Sequence, residues 1–531
     1  MSPTTAPSSP VPASSKHPPE HPAPRLAQRR RSIGVVLGLA LAVLTYIAFP
    51  SSAIDQVNAA AVASGEEAAF TDTGLRTVAA AAVLLGLWWM TEAIPLAATA
   101  LLPLVIFPAL QVADFEEVAA PYASDTIFLF MGGFMLALTM QRWNLHRRIA
   151  LRVVLWVGTR PRSLVLGFMV ATGFLSMWVS NTATAVLMLP IGASVLGLVS
   201  SLAGGRQRIR RFSTALMLAI AYAASIGSVG TIIGTPPNAL LVAYLSETHG
   251  VEIGFGQWML VGVPLAAVLM VVAWWLLVYV LLPPEIDTVP GGREVIEEEW
   301  RRLGPMSGGE VRVSIVFLAA AASWVLVPTL LERTGAALNI SDALIAMATA
   351  AILFLLPGDR AQGTRLLDWA TAKEVPWDVL LLFGGGLSLS SMFSRLGLSI
   401  WIGEQARGLE VLPTVLFVAA VALLVIVLTE LTSNTATAAA FLPIMGGVAV
   451  GIGLTQQEPA NVLLLTAPVA LSATFAFMLP VATPPNAVAY GSGYVRLADM
   501  VRSGVWLNII GMVLVTLAVM GLVVPVFGLS L

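Results

Sequence analysis

From Ile33 to the C-terminus the chain is a series of apolar runs of about 17 to 25 residues, each able to cross a bilayer as a helix, separated by short polar or charged stretches. The runs lack the two-residue alternation of a membrane barrel, and a helix satisfies its own backbone groups in hydrocarbon. The pattern therefore predicts an all-α polytopic membrane protein. Helices are expected at about 33–49, 75–92, 95–111 and 124–142. An amphipathic stretch follows at 143–160, with Arg147, Arg148 and Arg152 among Leu and Val, and should lie along the interface. Residues 163–200 are apolar but interrupted by Ser180-Asn181-Thr182 and then Pro190. They read as a re-entrant hairpin whose polar tip stops at mid-membrane against protein, since lipid would not tolerate it. A helix broken at Gly234-Thr235-Pro236-Pro237 (213–246) and another at 257–282 lead to a charged loop, 283–312, where Glu297-Glu298-Glu299 reads as a solvated helix face. The second half repeats the plan: helices at 313–331, 341–356 and 376–394, a connecting stretch 396–409, a hairpin 411–448 around Ser433-Asn434-Thr435, a helix broken at Ala482-Thr483-Pro484-Pro485 (461–494) and a last helix 503–527. The sum is about 11 transmembrane helices plus two re-entrant hairpins. Residues 1–32, rich in Pro, Ser and Ala and ending in Arg29-Arg30-Arg31, read as a disordered cytoplasmic tail. The arginines lead into a first membrane helix in preference to a cleaved export signal.

At 57% hydrophobic and 11% charged, the composition leaves a soluble fold nowhere to put these runs. The placement of the basic residues tests the topology. With the N-terminus inside, 24 of the 28 Lys and Arg fall on inner segments, and only Arg76, Arg333, Arg395 and Arg407 fall outside. The C-terminus is then outside, and a plasma (inner) membrane location is expected. An odd number of crossings separates the two hairpins, so the halves have opposite orientation and the hairpin tips can meet at the midplane. With no Cys, disulfides and thiolate sites are excluded. His17, His21, His146 and His249 all lie outside the deep apolar runs, which argues against an imidazole relay or His metal site.

Three words recur in order in the two halves: Gly132-Gly133 and Gly384-Gly385-Gly386; Ser180-Asn181-Thr182-Ala183-Thr184-Ala185 and Ser433-Asn434-Thr435-Ala436-Thr437-Ala438; Thr235-Pro236-Pro237-Asn238-Ala239 and Thr483-Pro484-Pro485-Asn486-Ala487. Such order at similar spacing is an internal repeat. Hydroxyl and amide residues at the tip of a broken helix ligate a hard cation through oxygen and donate O–H and N–H to an anion. Helix N-termini exposed by the break add positive dipole ends, and carbonyls freed before Pro236 and Pro484 add cation ligands. Ser176 and Ser180, like Thr429 and Ser433, stand four residues apart on one helix face. Neither tip carries Lys or Arg. A buried dianion would be uncompensated there, so bound cations must supply the positive charge and the two ligands must raise each other's affinity. Glu430 is the one acid beside a tip, and reads either as a functional carboxylate or as a brace for the hairpin. Glu92 and Asp378 sit where interface anchors are expected.

These words resemble the divalent anion/sodium symporters, the sodium-coupled dicarboxylate, tricarboxylate and sulfate carriers. The resemblance runs from Trp88 to Gly493 and rests on Trp88-Trp89-Met90-Thr91-Glu92-Ala93-Ile94-Pro95-Leu96, on Gly132-Gly133-Phe134 through Trp143-Asn144-Leu145-His146-Arg147-Arg148, on the paired Ser-Asn-Thr motifs, and on Phe477-Met478-Leu479-Pro480-Val481-Ala482-Thr483-Pro484-Pro485-Asn486. Thr474 and Ala489 depart from the family's usual Ser and Val, and lie off the tip. The resemblance implies a first sodium site from Ser176, Ser180, Asn181 and Gly234, and a second from Thr429, Thr432, Asn434 and Ala482, with Thr432 contributing its backbone carbonyl. Substrate carboxylates would be held by Asn181, Thr182, Ser433, Asn434 and Thr435, with Thr235 and Thr483 alongside. It also implies a homodimer with an elevator-type transport domain. The scaffold would comprise 33–160 and 313–410, each ending in an interfacial arm, and the moving domain 161–282 and 411–531, with 283–312 a cytoplasmic loop.

The resulting expectation is a secondary active transporter coupling two or more sodium ions to a di- or tricarboxylate, most readily a C4 dicarboxylate such as succinate, malate or fumarate. No organic cofactor, nucleic-acid partner or enzymatic activity is expected. Sodium/sulfate and sodium/citrate symport share the tip motifs and stay open. A sodium-independent exchanger of the same fold would place a basic residue near a tip, and an anion channel would show a continuous polar stripe in place of two dead-end hairpins.

Overall fold

In the computed structural model, residues 25–63, 70–158, 160–203, 205–289, 291–334, 340–359, 363–409, 413–456 and 458–530 are described. Among them ten helices are long and apolar enough to cross a membrane, with five shorter apolar helices between. The only β pairing among the described residues is an isolated bridge, Pro357 to Arg365.

Both hairpins are present. The first joins Pro161–Ser176 to Asn181–Leu202, and the second joins Thr414–Thr429 to Asn434–Gly451. Each entering limb has 16 residues, about 24 Å at 1.5 Å per residue, short of the roughly 30 Å of a hydrocarbon core. The chain therefore turns back inside the bundle. Pro161 sits in the first turn of its limb, where a missing N–H costs nothing. The broken helices are equally plain. Arg210–Ser228 unwinds, makes a single 3-10 turn at Ile232–Gly234 and restarts at Pro236–His249; Leu463–Ala473 unwinds and restarts at Pro484–Gly491. In each case the Pro-Pro pair opens the new helix, supplying no N–H where none is needed.

Several elements differ from the sequence reading. The first helix begins at Arg25, inside the stretch expected to be a disordered tail; residues 1–24 of that tail lie outside the described residues. The third span is two short helices, Leu96–Ala100 and Pro103–Ala109, because Pro103 cannot donate the bond that would join them. A helix at Ala53–Ala63 was not anticipated and packs on the second arm, Leu398–Ala406. The 283–312 loop holds a helix, Gly292–Arg302, and its Glu299 is not simply solvated, because it pairs with Arg147 of the first arm, Leu145–Val157.

The glycine words are explained by close approach. A Cβ on Gly132 would stand 2.6 Å from the carbonyl oxygen of Ala346, and one on Gly385 2.3 Å from that of Ala100. Thus Asp125–Arg142 packs directly on Asp342–Leu355, and Trp377–Arg395 on Leu96–Ala100, the same contact made once in each direction. Gly133 and Gly386 look the other way, toward Ile233 and toward Leu240 and Ala439 of the hairpin–broken-helix unit.

Side-chain bonds sort the connecting segments into two ends. At the arginine-rich end, Arg142 meets Asp368, Arg148 meets Glu310, Arg210 meets Asp499, and Arg312 donates to the carbonyls of Pro357 and Gly358. At the other, Arg395 meets Glu117 and the Phe255 N–H donates to Asp342 at 2.8 Å. No segment expected inside is paired in these bonds with one expected outside. The Arg148–Glu310 pair is nearly enclosed, with side chains 10% and 5% exposed. The guanidinium also donates to the Gly304 carbonyl at 3.1 Å and lies 5.2 Å from the Trp300 ring centroid. It fastens the first arm to Gly308–Thr334. Replacing Glu310 by Ala strands a buried cation, and we expect a loss of roughly 3–5 kcal/mol, read as a lower melting midpoint of the purified protein. Arg148→Met combined with Glu310→Leu should restore most of it; a single variant as stable as wild type would show that the pair carries no load.

Candidate functional site

The two hairpin tips are built the same way. In the first, the buried Ser176 hydroxyl lies 3.0 Å from Asn181 Oδ1 and 2.6 Å from the Ala224 carbonyl oxygen. In the second, the buried Thr429 hydroxyl lies 2.8 Å from Asn434 Oδ1 and 2.7 Å from the Ala473 carbonyl oxygen. A hydroxyl has one proton, so as these asparagines are oriented each trio of oxygens is one donor short. Three electron-rich oxygens gathered around too few protons suit a bound cation. Each trio also ties a tip to the last turn of its own repeat's broken helix.

The breaks duplicate each other as closely. The N–H of Gly234 donates to the Thr231 carbonyl and that of Ala482 to the Leu479 carbonyl. The same two carbonyls accept from the side-chain amides of Asn238, at 2.8 Å, and Asn486, at 3.1 Å. A second carbonyl of each unwound segment, Val229 and Ala476 respectively, takes the remaining amide proton. Both asparagines are fully buried and their Oδ1 atoms are left without a partner among the described residues, as are the hydroxyls of Ser225 and Thr474. Ser225 and Thr474 directly follow the Ala224 and Ala473 carbonyls. Sequence reasoning gave these four residues no role and set Thr474 off the tip, whereas it opens the unwound segment. The Thr-Pro-Pro-Asn word was visible twice; nothing in the sequence showed that its asparagine reaches back to hold the loop.

The other predicted residues fall around this frame. Ser180 caps its helix, taking the Ala183 N–H at 3.3 Å, whereas Ser433 makes no capping bond. Thr182 is exposed, and Asn181, Ser433, Asn434 and Thr435 are half-buried. Thr235, Gly234, Thr483 and Ala482 are buried, and the Thr483 hydroxyl caps Pro484–Gly491 by accepting from the Asn486 N–H. The Thr432 side chain turns back to the Leu428 carbonyl and the Thr437 hydroxyl, leaving its backbone carbonyl as the group it can offer. Asn181–Leu202 packs along Pro484–Gly491, and Asn434–Gly451 along Pro236–His249, so each hairpin leans on the other repeat's restarted helix. Helix N-termini at Asn181, Pro236, Asn434 and Pro484 belong to these packed pairs. No Lys or Arg occurs in 163–205, 212–292 or 408–495.

The sequence model of the sodium:sulfate symporter transmembrane region matches residues 71–528. A relative from Staphylococcus saprophyticus, the sodium-dependent dicarboxylate transporter SdcS, is 41% identical over 502 residues, covering 94% of this chain and 92% of its own. SdcS of Staphylococcus aureus strain USA300 is 41% identical over 448 residues, 84% of this chain and 85% of its own. Among solved structures, the Alcanivorax borkumensis YdaH transporter aligns with a TM-score of 0.55 at 14% identity, over 83% of this chain and 99% of that one. MtrF of Neisseria gonorrhoeae aligns with a TM-score of 0.52 at 12% identity, over 80% and 87%. At such identities the likeness to YdaH and MtrF bears on fold alone.

Glu430 resolves into a brace. Its Oε1 accepts from the N–H of Phe477 at 2.7 Å and of Met478 at 2.8 Å, and from Asn508 Nδ2 at 2.7 Å; Oε2 accepts from the Leu479 N–H at 3.1 Å. Three successive amides of the unwound segment are held by one carboxylate, so its charge is consumed by backbone donors. Met177 stands at the corresponding place after Ser176, and there the Met177 carbonyl accepts from Thr231 Oγ1 instead. Glu430→Leu strips one buried and two half-buried N–H groups of their acceptor, and the buried loss, at Phe477, is worth about 1–3 kcal/mol. We expect faster amide exchange across 475–481 and a lower melting midpoint, with Glu430→Gln intermediate. Unchanged exchange in the Leu variant would show that the segment holds its shape without the carboxylate.

Proposed function

The chain belongs to the sodium:sulfate symporter family, the divalent anion/sodium symporters, and on that premise we propose that it imports a C4 dicarboxylate together with two or more sodium ions. The observation that carries this reading is the duplicated oxygen trio in a region without basic side chains. The family model is named for sulfate, while relatives at 41% identity are named as dicarboxylate transporters. The nearer kinship favours succinate, malate or fumarate.

In this proposal one sodium ion sits with Ser176, Ser180, Asn181 and Gly234, and another with Thr429, Thr432, Asn434 and Ala482. Their charges, with the paired helix N-termini, make room for two carboxylates held by Asn181, Thr182, Ser433, Asn434 and Thr435, beside Thr235 and Thr483. Asn238 and Asn486 support the two loops. Binding is mutual: sodium raises anion affinity and the anion raises sodium affinity by the same factor. The hairpins and broken helices then move as one body against the remaining helices, in an elevator step within a homodimer. The arginine-rich end faces the cytoplasm across the plasma membrane. Net inward positive charge would gain about 2.3 kcal/mol per charge per 100 mV of potential.

The test is uptake of labelled succinate into proteoliposomes under an inward sodium gradient. We expect accumulation that disappears when potassium replaces sodium; equal uptake in the two salts would end the coupling claim. Asn181→Ala and Asn434→Ala should each lower uptake more than about tenfold, or 1.4 kcal/mol, while the purified protein still melts cooperatively. Full activity in both would remove the site assignment.

A further inference from the structure

Away from the hairpin tips, the arginine-rich end holds a cavity of about 160 Å³ lined by Arg206, Gln207, Arg210, Thr214, Tyr494 and Arg496, with Ser213 and Gly493 completing it. We propose that this cavity binds a phosphate group at the membrane boundary, carried on an anionic lipid headgroup or free in solution.

The cavity differs from the ordinary scatter of positive charge on an inner face. Arg293, Arg301 and Arg302 are answered by glutamates of their own helix. Here three guanidinium groups share one hollow and Asp499, paired with Arg210 at 3.3 Å, is the one carboxylate bonded to them among the described residues. Arg206 is laid over the Tyr494 ring at 4.8 Å from its centroid, which fixes the guanidinium plane while leaving its N–H groups free to donate. Arg496 makes no ion pair among the described residues. Planar forks of this kind match phosphate oxygens in pairs.

Position favours an anion that comes with the membrane. Leu202, four residues before Arg206, is 59% exposed, and Leu497, next to Arg496, is 46% exposed. The arginines thus stand where an apolar surface gives way to the polar end, at headgroup level. The cavity also lies between the two repeats, with 206–214 from the first and 493–496 from the second, and the Thr214 hydroxyl already donates to the Tyr494 carbonyl at 2.9 Å. A phosphate bridging Arg206 and Arg496 would clamp the repeats together at the end remote from the hairpin tips.

The test uses the full chain in phosphatidylcholine nanodiscs, in buffer without sodium or dicarboxylate, so that its outcome is independent of transport. One arm adds millimolar inorganic phosphate and the other includes a minor fraction of phosphatidylglycerol. Wild type and the control Arg301→Gln should melt about 2 °C higher in at least one arm, and Arg206→Gln with Arg496→Gln should lose that rise. Arg496→Gln alone, which breaks no ion pair, serves if the double variant folds poorly. A rise in the lipid arm only assigns a headgroup, and one in the phosphate arm a free ligand. No rise in wild type in either arm, an equal rise in the arginine variants, or the same arginine-dependent rise with succinate would overturn the assignment.

Discussion

In the proposed function, a doubly negative guest in a site with no basic side chain is the constraint on which the rest depends. Moving one carboxylate from water to a medium of low dielectric costs, in the idealised limit, on the order of 20 kcal/mol. The four helix N-termini that begin at Asn181, Pro236, Asn434 and Pro484 offer up to about 2 kcal/mol each, roughly 8 in all. That is too little by itself, so the balance has to come from mobile positive charge. The oxygen trios at Ser176 and Thr429 are where such charge fits. Under the proposal coupling would follow from composition: a lysine at either tip would relieve the anion's need for a co-ion.

Building the site twice solves a geometric problem as well. A single hairpin presents its helix N-terminus and its oxygens from one side, and the guest's far carboxylate would face unmodified apolar wall. With the repeat inverted, the same apparatus arrives from the opposite side. The copies are not identical where symmetry would do harm. Glu430 has Met177 as its counterpart, and all of its bonds go to amide donors of the 477–479 loop and to Asn508. A carboxylate so fully engaged stiffens the second loop without presenting free charge to an approaching anion.

The span pattern, the hairpins and the breaks were legible because each is written in local chemistry: run length, Pro-Pro, and polar words inside apolar stretches. The glycine words were legible as landmarks but not as contacts, since nothing local says that Gly132 must clear Ala346 or Gly385 must clear Ala100. The same limit hid the supporting shell. Asn238 and Asn486 act on carbonyls seven to ten residues back, across a loop whose path depends on tertiary packing. The acidic run in Gly292–Arg302 was read as a solvated helix face, and only the fold brings Arg147 to Glu299. Arg25 joining the first helix reflects a similar bias, since Pro-rich composition was extended too far along the chain.

Where the charges sit also determines whether a rigid-body movement is feasible. Between the hairpin–broken-helix unit and the remaining helices, the contacts at mid-depth are apolar: Gly133 against Ile233, Gly386 against Leu240 and Ala439, and the Trp178 ring edge-on to Phe317 at 5.0 Å between centroids. The polar links across that boundary lie at the outer end and are few, the Phe255 N–H to Asp342 and Thr248 to Ser390 at 3.4 Å. A neutral hydrogen bond contributes about 0.5–1.5 kcal/mol net, and one to a charged group about 1.5–3, so releasing both costs no more than about 5 kcal/mol. Tighter fastenings, such as Arg148 with Glu310, hold the first arm to Gly308–Thr334 and need not break. The apolar mid-depth boundary would slide without exposing a charge to hydrocarbon, provided the guest's charge is already cancelled by its co-ions. Under the proposed function, neutralisation of the cargo would therefore be a condition for movement as much as for binding, and an unaccompanied dianion would be held back by the same desolvation cost that keeps it from binding.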